Sequence, residues 1–290
     1  MQSGILVINK EKNMTSRDVV NIACKKLGTQ HIGHTGTLDP IATGVLVLGV
    51  NDGCKVIDLL TSVSKVYQAE VIVGLKTDTL DITGTIEEEY NIENLEKEKV
   101  ENILKTFKGK YLQEVPKYSA IHVNGKRLYE YARENKEVEL PKRKVEIFDI
   151  KLLDEIKTEK NYYSFSFIVH VSKGTYIRSL IRDIGSKLGY PCTMKNLIRI
   201  KQGNFSLEEA ISIDDIKEDK IVKIVDALQE YEKLIVDDEV AKKVENGSIL
   251  SFNTNSDMVL ILNQENDLLA IYIRYDKDTS KMKPYKVFRR

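Results

Sequence analysis

The sequence predicts an α+β fold in which helices flank a mixed, mostly antiparallel sheet. Apolar and polar residues alternate, as in half-buried strands, over three segments: 66–74, 144–153 and 162–171. Apolar residues recur instead at helical spacing over three others: 97–107, 126–134 and 175–188. Strands and helices do not alternate regularly along the chain, which argues against a doubly wound parallel sheet.

The N-terminal region begins with a short apolar run, residues 5–8, which is typical of a buried strand. Thr15 then precedes apolar residues at helical spacing and Gly28 follows them, so we expect a capped amphipathic helix that ends at the glycine. A loop rich in glycine and threonine, residues 31–44, separates this helix from a second apolar run at 45–48. This loop is the least ordinary segment of the chain.

The C-terminal region predicts a small β-rich module. Residues 238–244 are typical of a short helix, and 258–262 and 268–275 are typical of strands. We therefore divide the chain into a larger domain, residues 1–230, and a C-terminal module, residues 231–290.

Charge is balanced over the whole chain but not along it. Forty-four Lys and Arg residues match forty-four Asp and Glu residues, which excludes a uniformly basic surface. Segment 162–205 nevertheless has seven basic residues and one acid, 206–245 has thirteen acids and six lysines, and 277–290 has six basic residues and one acid. The acidic segment is expected to be a solvated, partly helical connection. The basic segments fit either a polyanion bound on one face, or a solvated helix face plus a disordered tail.

Several classes of protein are disfavoured. No apolar run approaches the roughly 20 residues of a membrane span, and no signal peptide is evident, so a cytoplasmic location is expected. The three cysteines lack Cys-x-x-Cys spacing and the four histidines include no His-x-x-x-His pair, which argues against a disulfide framework and a metal centre. No cofactor motif is visible.

The 31–44 loop presents a single carboxylate, Asp39, followed by Pro40. A carboxylate in such a loop can be a nucleophile, a general base, a helix cap or a turn former. A phosphatase-like aspartyl nucleophile would want a second Asp at the position of Ile41, and the loop lacks the Gly-Lys-Ser/Thr ending of a P-loop.

The loop and several later motifs resemble the TruB family, the bacterial tRNA pseudouridine synthases that act on uridine 55 of the T arm. The resemblance runs from about residue 4 to about residue 205 and rests on motifs in the family's order: Gly33-His34-Thr35-Gly36-Thr37-Leu38-Asp39-Pro40, Lys65-Val66-Tyr67, Tyr118-Ser119-Ala120-Ile121, Ser172-Lys173-Gly174-Thr175-Tyr176-Ile177-Arg178 and Leu197-Ile198-Arg199. Two positions depart from the family: Lys10-Glu11-Lys12-Asn13 replaces Lys-Pro-x-Gly, and Ile198 stands where a second arginine is usual.

The resemblance implies roles for five side chains. Asp39 is the carboxylate that attacks or electrostatically supports the ribose, and Arg178 pairs with it. Tyr67 packs on the target base and can take a proton during the rearrangement. His34 helps to extrude the base, and Leu197 lines the base pocket. Further substrate-binding residues implied in the same way are Lys10, Gly36, Thr37, Lys173 and Tyr176.

The resemblance also implies the activity and the partners. Residues 1–230 are expected to form a pseudouridine synthase domain, and 231–290 a PUA-like RNA-binding module. The enzyme would isomerise uridine 55 with no metal or cofactor, and would flip the base out of the folded T arm. We expect a monomer that needs tRNA but no protein partner. Two alternatives stay open: a guide-RNA-dependent enzyme of the dyskerin branch, and a non-catalytic tRNA-folding chaperone.

Overall fold

The computed structural model describes residues 2–159 and 162–288. Its helices are α1 (Ser16–Leu27), α2 (Ile57–Thr61), α3 (Lys97–Lys105), α4 (Leu128–Arg133), α5 (Ile177–Leu188), α6 (Ile224–Ala227) and α7 (Asp238–Glu245). Its strands are β1 (Gly4–Lys10), β2 (Ile32–His34), β3 (Thr43–Val50), β4 (Lys65–Val73), β5 (Leu75–Thr77), β6 (Ile86–Glu89), β7 (Gly109–Glu114), β8 (His122–Val123), β9 (Lys126–Arg127), β10 (Lys142–Leu152), β11 (Lys157–Glu159), β12 (Tyr162–Val171), β13 (Cys192–Gln202), β14 (Phe205–Ser206), β15 (Glu232–Ile235), β16 (Met258–Leu262), β17 (Leu268–Arg274) and β18 (Met282–Val287).

The main sheet has ten strands, and its central path runs β1-β3-β13-β4-β12-β10-β7. Neighbours along this path are antiparallel except β3 and β13, which run parallel where Thr43 meets Ile198 and Gly44 meets Arg199. The predicted α+β class with a mostly antiparallel mixed sheet is confirmed.

One face of this sheet carries the largest hydrophobic core. Strand β4 alternates buried and half-buried residues, and its buried side includes Tyr67, Ala69 and Val71. Helix α5 covers this face because its apolar residues recur along one side, including Ile177, Leu180, Ile181, Ile184 and Leu188. The core therefore fixes the N-terminal end of α5 close to the strand that carries Tyr67.

Helix α1 has the ends that the sequence predicts. Thr15 and Asp18 form a capping box, and Gly28 closes the helix in the left-handed conformation with φ of 65°. The helix packs on a second cluster that includes Leu6, Leu46 and Leu48 from β1 and β3.

The acidic segment 206–245 has exposed acidic side chains and includes helices α6 and α7, as predicted, but it also packs against the main sheet. The backbones of Ile5 and Val222 exchange two hydrogen bonds of 2.8 Å, so part of the segment lies along β1. Ile224 and Leu228 are buried against the sheet. The acidic side chains are distributed along a chain whose apolar residues complete the core.

The basic segment 277–290 is also not a disordered tail over its described part. Residues 282–287 form β18, the edge strand of a four-stranded sheet ordered β15-β16-β17-β18, and Phe288 is buried. Pro284 and the lysines make this strand difficult to recognise in the sequence. Proline and lysine are nevertheless both characteristic of edge strands. Arg289 and Arg290, which belong to the same predicted tail, lie outside the described residues.

The C-terminal sheet packs directly on the main sheet. Leu260, Ile271 and Phe288 share one hydrophobic cluster with Ile5 and Val47. Lys286 Nζ also lies 3.3 Å from Asp58 Oδ2, and Lys55 Nζ donates to the Val287 carbonyl at 3.0 Å. The boundary at 230/231 and the PUA-like identity of the module stay predictions.

Within residues 2–159 and 162–288, none of the helices has both the length and the apolar character that a membrane span requires.

Candidate active site

A cleft of about 560 Å³ opens where β4, β13 and the start of α5 meet the loop after β2. The loop contributes Thr35 to Asp39, the sheet contributes Tyr67 and Leu197, and residues 173–177 lead into α5 on the opposite side. The other lining residues are Thr61, Lys65, Arg143, Lys144, Val145 and Arg199. Segments that are far apart in sequence thus converge on Asp39.

Asp39 and Arg178 form a two-pronged ion pair at this cleft. Arg178 Nε donates to Asp39 Oδ2 at 2.8 Å, and Arg178 Nη2 donates to Oδ1 at 3.0 Å. The Asp39 side chain is 36% exposed, whereas that of Arg178 is 6% exposed. One carboxylate is therefore oriented by a buried guanidinium while it remains accessible from the cleft.

The guanidinium is fixed by backbone carbonyls as well as by Asp39. Arg178 Nη1 donates to the Thr79 carbonyl at 3.0 Å, and Nη2 also donates to the Tyr118 carbonyl at 3.0 Å. These bonds connect α5 to the loops after β5 and β7. The arginine cannot rotate away from Asp39 without breaking them.

The loop that carries Asp39 is held at its backbone. The Leu38 N–H donates to Ser16 Oγ at 2.9 Å, which ties the loop to the start of α1. The Asn13 N–H donates to the Pro40 carbonyl at 2.8 Å, and Asn13 adopts the left-handed conformation with φ of 66°. Asparagine tolerates this conformation better than most residues, which accounts for its presence where the family has glycine.

Lys10 supports the same loop from within the protein. Its ammonium group donates to the carbonyls of Glu11, Met14 and Pro40 at 2.8, 2.7 and 3.4 Å, and the residue is fully buried. Burial is the main reason that the pKa of Lys10 falls to about 8. The sequence predicts a substrate-binding lysine, but this geometry places Lys10 outside the cleft, where it holds the backbone around Asp39.

Arg199 and Gln202 hold the loop from the side of β13. Arg199 is 1% exposed, and its Nε and Nη2 donate to the carbonyls of Val45 and Gly36 at 2.6 and 3.2 Å. Gln202 Nε2 donates to Thr35 Oγ1 and to the Leu60 carbonyl. Sequence reasoning missed these positioning roles, because an arginine and a glutamine in a strand usually indicate a solvated face.

Gly44 allows the close approach of β3 to β13. Its φ is 99°, and a Cβ atom at this position would lie 2.3 Å from the Arg199 carbonyl oxygen. Only glycine fits this geometry without displacement of the backbone. The parallel contact keeps Arg199 under the loop.

The aromatic and apolar walls of the cleft come from the sheet and from α5. Tyr67 and Leu197 are only 7% and 5% exposed, because they belong to the main core, and both also line the cleft. Tyr176, the residue before α5, is half-buried, and burial raises the pKa of its hydroxyl. Tyr176 thus presents a neutral ring at neutral pH.

Seven predicted residues line the cleft: Gly36, Thr37, Asp39, Tyr67, Lys173, Tyr176 and Leu197. Arg178 lies directly behind Asp39. His34 is not among the lining residues, and its buried Nδ1 has no hydrogen-bond partner. Burial, with Arg17 and Arg199 nearby, lowers the pKa of His34. The structure does not bring its ring into the cleft.

Most basic side chains of the segment 162–205 are either buried or paired with acidic side chains of the protein. Arg182 pairs with Glu114 and Asp183 at 2.9 and 2.8 Å, and Lys195 pairs with Glu70 at 2.9 Å. Arg178 and Arg199 are buried as described. The exposed basic residues of this segment are Lys173, Lys187 and Lys201. Phosphate binding by this segment stays a prediction, and its three exposed lysines are the side chains most available for it.

No group of three or more His, Cys, Asp or Glu residues that could hold a metal ion occurs within the part of the chain that the structure describes. The cleft itself brings one oriented carboxylate together with aromatic rings, hydroxyls and basic side chains. A carboxylate in this setting can attack a sugar carbon or stabilise positive charge on it.

The chain is similar to known proteins over nearly its whole length. The model of the TruB family pseudouridylate synthase (N terminal domain) matches residues 24–177. The tRNA pseudouridine synthase B of Bacillus subtilis (strain 168) is 43% identical over 302 aligned positions, which cover 99% of this chain and 98% of that protein. The protein of the same name from Staphylococcus saprophyticus is 38% identical over 304 positions, which cover 99% and 100%.

Two solved structures share the fold. A chain in an H/ACA RNP bound to a substrate RNA containing 2′-deoxyuridine has a TM-score of 0.72 at 22% identity, over 99% of this chain and 85% of that one. A chain in a Cbf5-Nop10-Gar1 complex has a TM-score of 0.70 at 24% identity, over 99% and 84%. The fold and the sequence matches together define a pseudouridine synthase. Within that class, the chain belongs to the TruB family.

Proposed function

We propose that this protein isomerises uridine 55 in the T arm of tRNA to pseudouridine, and that Asp39 is the reacting carboxylate. The observation that carries the proposal is the accessible Asp39 carboxylate, which lines a cleft and is held in a fixed orientation by Arg178. The name of the relatives, tRNA pseudouridine synthase B, supports the choice of tRNA as substrate.

The isomerisation rearranges bonds without a change in redox state. The bond between N1 of uracil and C1′ of ribose breaks, the base turns, and C5 bonds to C1′. N1 then gains a proton, and C5 loses one. Asp39 either adds to the ribose or stabilises the charge that develops as the glycosidic bond breaks. Tyr67 faces the space that the base would occupy and is assigned the packing and proton-accepting roles.

Access to C1′ requires the uridine to leave the stack, which costs a few kcal/mol. The cleft offers the rings of Tyr67 and Tyr176, and stacking on an aromatic side chain returns roughly 1–3 kcal/mol per base. Exposed basic residues at the rim, Lys173 and Arg143, are positioned to contact phosphates. We assign Gly36, Thr37 and Leu197 to the walls of the pocket for the flipped nucleotide.

The test is conversion of an unmodified tRNA transcript by the purified protein alone, followed by mapping of pseudouridine at single-nucleotide resolution. We expect a single modified position, uridine 55. A matched transcript with cytidine at that position is the control. Modification elsewhere would contradict the site, and no modification would contradict the activity.

The same reaction separates the two alternatives. A guide-RNA-dependent enzyme would be inactive until a guide RNA and partner proteins were added. A chaperone would accelerate folding of the transcript but leave its uridines unchanged. Conversion by the purified chain with tRNA alone excludes both. We further propose that the C-terminal sheet is a PUA-like RNA-binding module and that the enzyme works as a monomer.

A further inference from the structure

Gln113 is a buried polar residue beside the cleft. It lies in β7, is 1% exposed, and does not line the cleft itself. Its partner across the strand pair is Arg143, which does line the cleft. A buried amide must satisfy its hydrogen bonds within the protein, so its partners indicate what it does.

The carboxamide of Gln113 holds the backbone of one residue at two points. Gln113 Oε1 accepts the Tyr176 N–H at 2.8 Å, and Gln113 Nε2 donates to the Tyr176 carbonyl at 3.1 Å. Nε2 also donates to the Tyr111 hydroxyl oxygen at 2.6 Å. An amide supplies an acceptor and a donor side by side, whereas a carboxylate supplies no donor and an aliphatic chain supplies neither.

Tyr176, the residue held in this way, lies where helix α5 begins at the cleft. Tyr176 is the N-cap of α5, and its own side chain makes no capping hydrogen bond. Its carbonyl also accepts the Leu180 N–H at 3.0 Å, which is the first turn of the helix. Its ring lines the cleft, and Arg178 follows two residues later. A shift of the Tyr176 backbone would therefore move the ring relative to Asp39.

We propose that Gln113 is a positioning residue for the reaction: its amide fixes the Tyr176 backbone and thereby the place of the Tyr176 ring in the cleft. Gln113 acts through Tyr176 and touches no substrate. The inference rests on the proposed function, since the Tyr176 ring matters only if a base enters the cleft.

The first experiment measures the single-turnover rate with saturating enzyme on the tRNA transcript, and the tRNA Kd separately. Gln113→Leu removes both bonds to Tyr176, while Gln113→Glu keeps the length and the acceptor but loses the donor. We expect both variants to be about 10- to 100-fold slower, since displacement by about 1 Å costs up to about 100-fold. Kd should stay within about threefold of wild type, and the Glu variant should be the less impaired. Gln68→Leu, on the opposite face of the main sheet, is the matched control.

The second experiment is a double-mutant cycle with Tyr176→Ala, because a purely structural role would not predict its result. Once the ring is removed, Gln113→Leu should slow the reaction by less than about threefold more. Additive losses, or unchanged rates in both Gln113 variants, would overturn the inference. If Gln113→Leu does not fold, Gln113→Glu takes its place in the cycle. An inactive wild type would instead overturn the proposed function, so the two failures are distinguishable.

Discussion

At the scale of single residues, the cleft combines an accessible carboxylate with a guanidinium that solvent hardly reaches. The activity of such a pair should depend both on the charges and on the geometry of the two side chains. Substitutions of Asp39 and of Arg178 separate these two effects. A third substitution concerns the buried lysine behind the loop.

Asp39→Asn preserves the size of the side chain and removes its charge. We expect pseudouridine formation to fall by at least about 1000-fold, because the proposed reacting group is lost, while tRNA Kd changes by less than about threefold. The measurement is the single-turnover rate with tRNA transcript. Asp52→Asn is a matched control, since its side chain is 35% exposed and pairs with Lys55 outside the cleft. A wild-type rate in the Asp39→Asn variant would show that Asp39 is structural.

Arg178→Lys retains the positive charge but loses the two-pronged geometry of the guanidinium group. A lysine can donate to Asp39 at one point and cannot also reach the carbonyls of Thr79 and Tyr118 in the same geometry. We expect a rate about 10- to 100-fold below wild type, with Arg178→Ala slower still. Combined with Asp39→Asn, neither change should add a further loss, because the two groups act as a unit. Wild-type rates in both single variants would remove Arg178 from the site.

Lys10 predicts a specific dependence of stability on pH. Its pKa is about 8 in the folded protein and 10.5 ordinarily, so below pH 8 both states carry the proton and the cost of its burial is present in full. Between pH 8 and 10.5 only the unfolded state keeps the proton, and stability rises with pH. The unfolding free energy of wild type minus that of Lys10→Met should therefore increase over this interval. Chemical denaturation at several pH values measures it, and a flat or falling difference would contradict the assignment.

At the scale of secondary structure, the elements with a strong local pattern were predictable from the sequence. Helices α1 and α5 have apolar stripes and glycine ends, and strands β4, β10 and β12 alternate, so each lies within two residues of its predicted bounds. The Asp39 loop and most cleft residues followed from the family's motifs. These signals are local, and in these elements the tertiary contacts agree with them.

Strand β13 was not predictable from alternation, although it lies at the centre of the sheet. Two bulges, near Met194 and Arg199, interrupt its register with β4, and buried polar side chains break the apolar pattern. The roles of Arg199 and Gln202 depend on contacts with residues far away in sequence. The pattern of apolar and polar residues within the strand does not predict such contacts.

The contact between β3 and β13 gives a prediction for Gly44. An alanine here would meet the Arg199 backbone and would also adopt an unfavourable φ, so we expect Gly44→Ala to destabilise the protein by about 2–4 kcal/mol. Gly28→Ala is the control, because its φ is also positive but no atom lies within 4 Å of the added carbon. Strain alone should cost it about 1–2 kcal/mol. Equal losses of unfolding free energy in urea would contradict a steric role for Gly44.

At the scale of the whole molecule, two lysines of the C-terminal module are paired with acidic side chains, whereas basic residues at the rim of the cleft are exposed. Lys281 and Lys283 in the C-terminal module pair with Asp278 and Asp276 at 3.0 and 2.6 Å. Lys173 is exposed beside the cleft, with one weak contact to Ser62 Oγ at 3.4 Å. Phosphate binding should therefore depend on the rim more than on the C-terminal module's paired lysines.

The salt dependence of tRNA binding tests this distribution. A plot of log Kd against log salt should become shallower by about 0.7–0.9 when Lys173 is changed to Gln, which is the loss of one phosphate contact. Lys281→Gln, at a paired position, should leave the slope unchanged. The single-turnover rate at saturating enzyme should be within about twofold of wild type for both variants. An equal change in slope for the two lysines would indicate diffuse attraction to the whole surface.

The anchors of the Asp39 loop also determine when the site can exist during synthesis. Arg178, Arg199 and Gln202 contact the loop from 139, 163 and 167 positions further along the chain. Closure of loops this long is entropically costly and slow, so we expect Asp39 to become ordered late in folding. While Gln202 is still inside the ribosome, the nascent chain already contains the whole Asp39 loop. It lacks the contacts from Gln202 that hold this loop in place. We therefore expect catalytic competence only after Gln202 has emerged, and a translation product truncated before this residue should lack it.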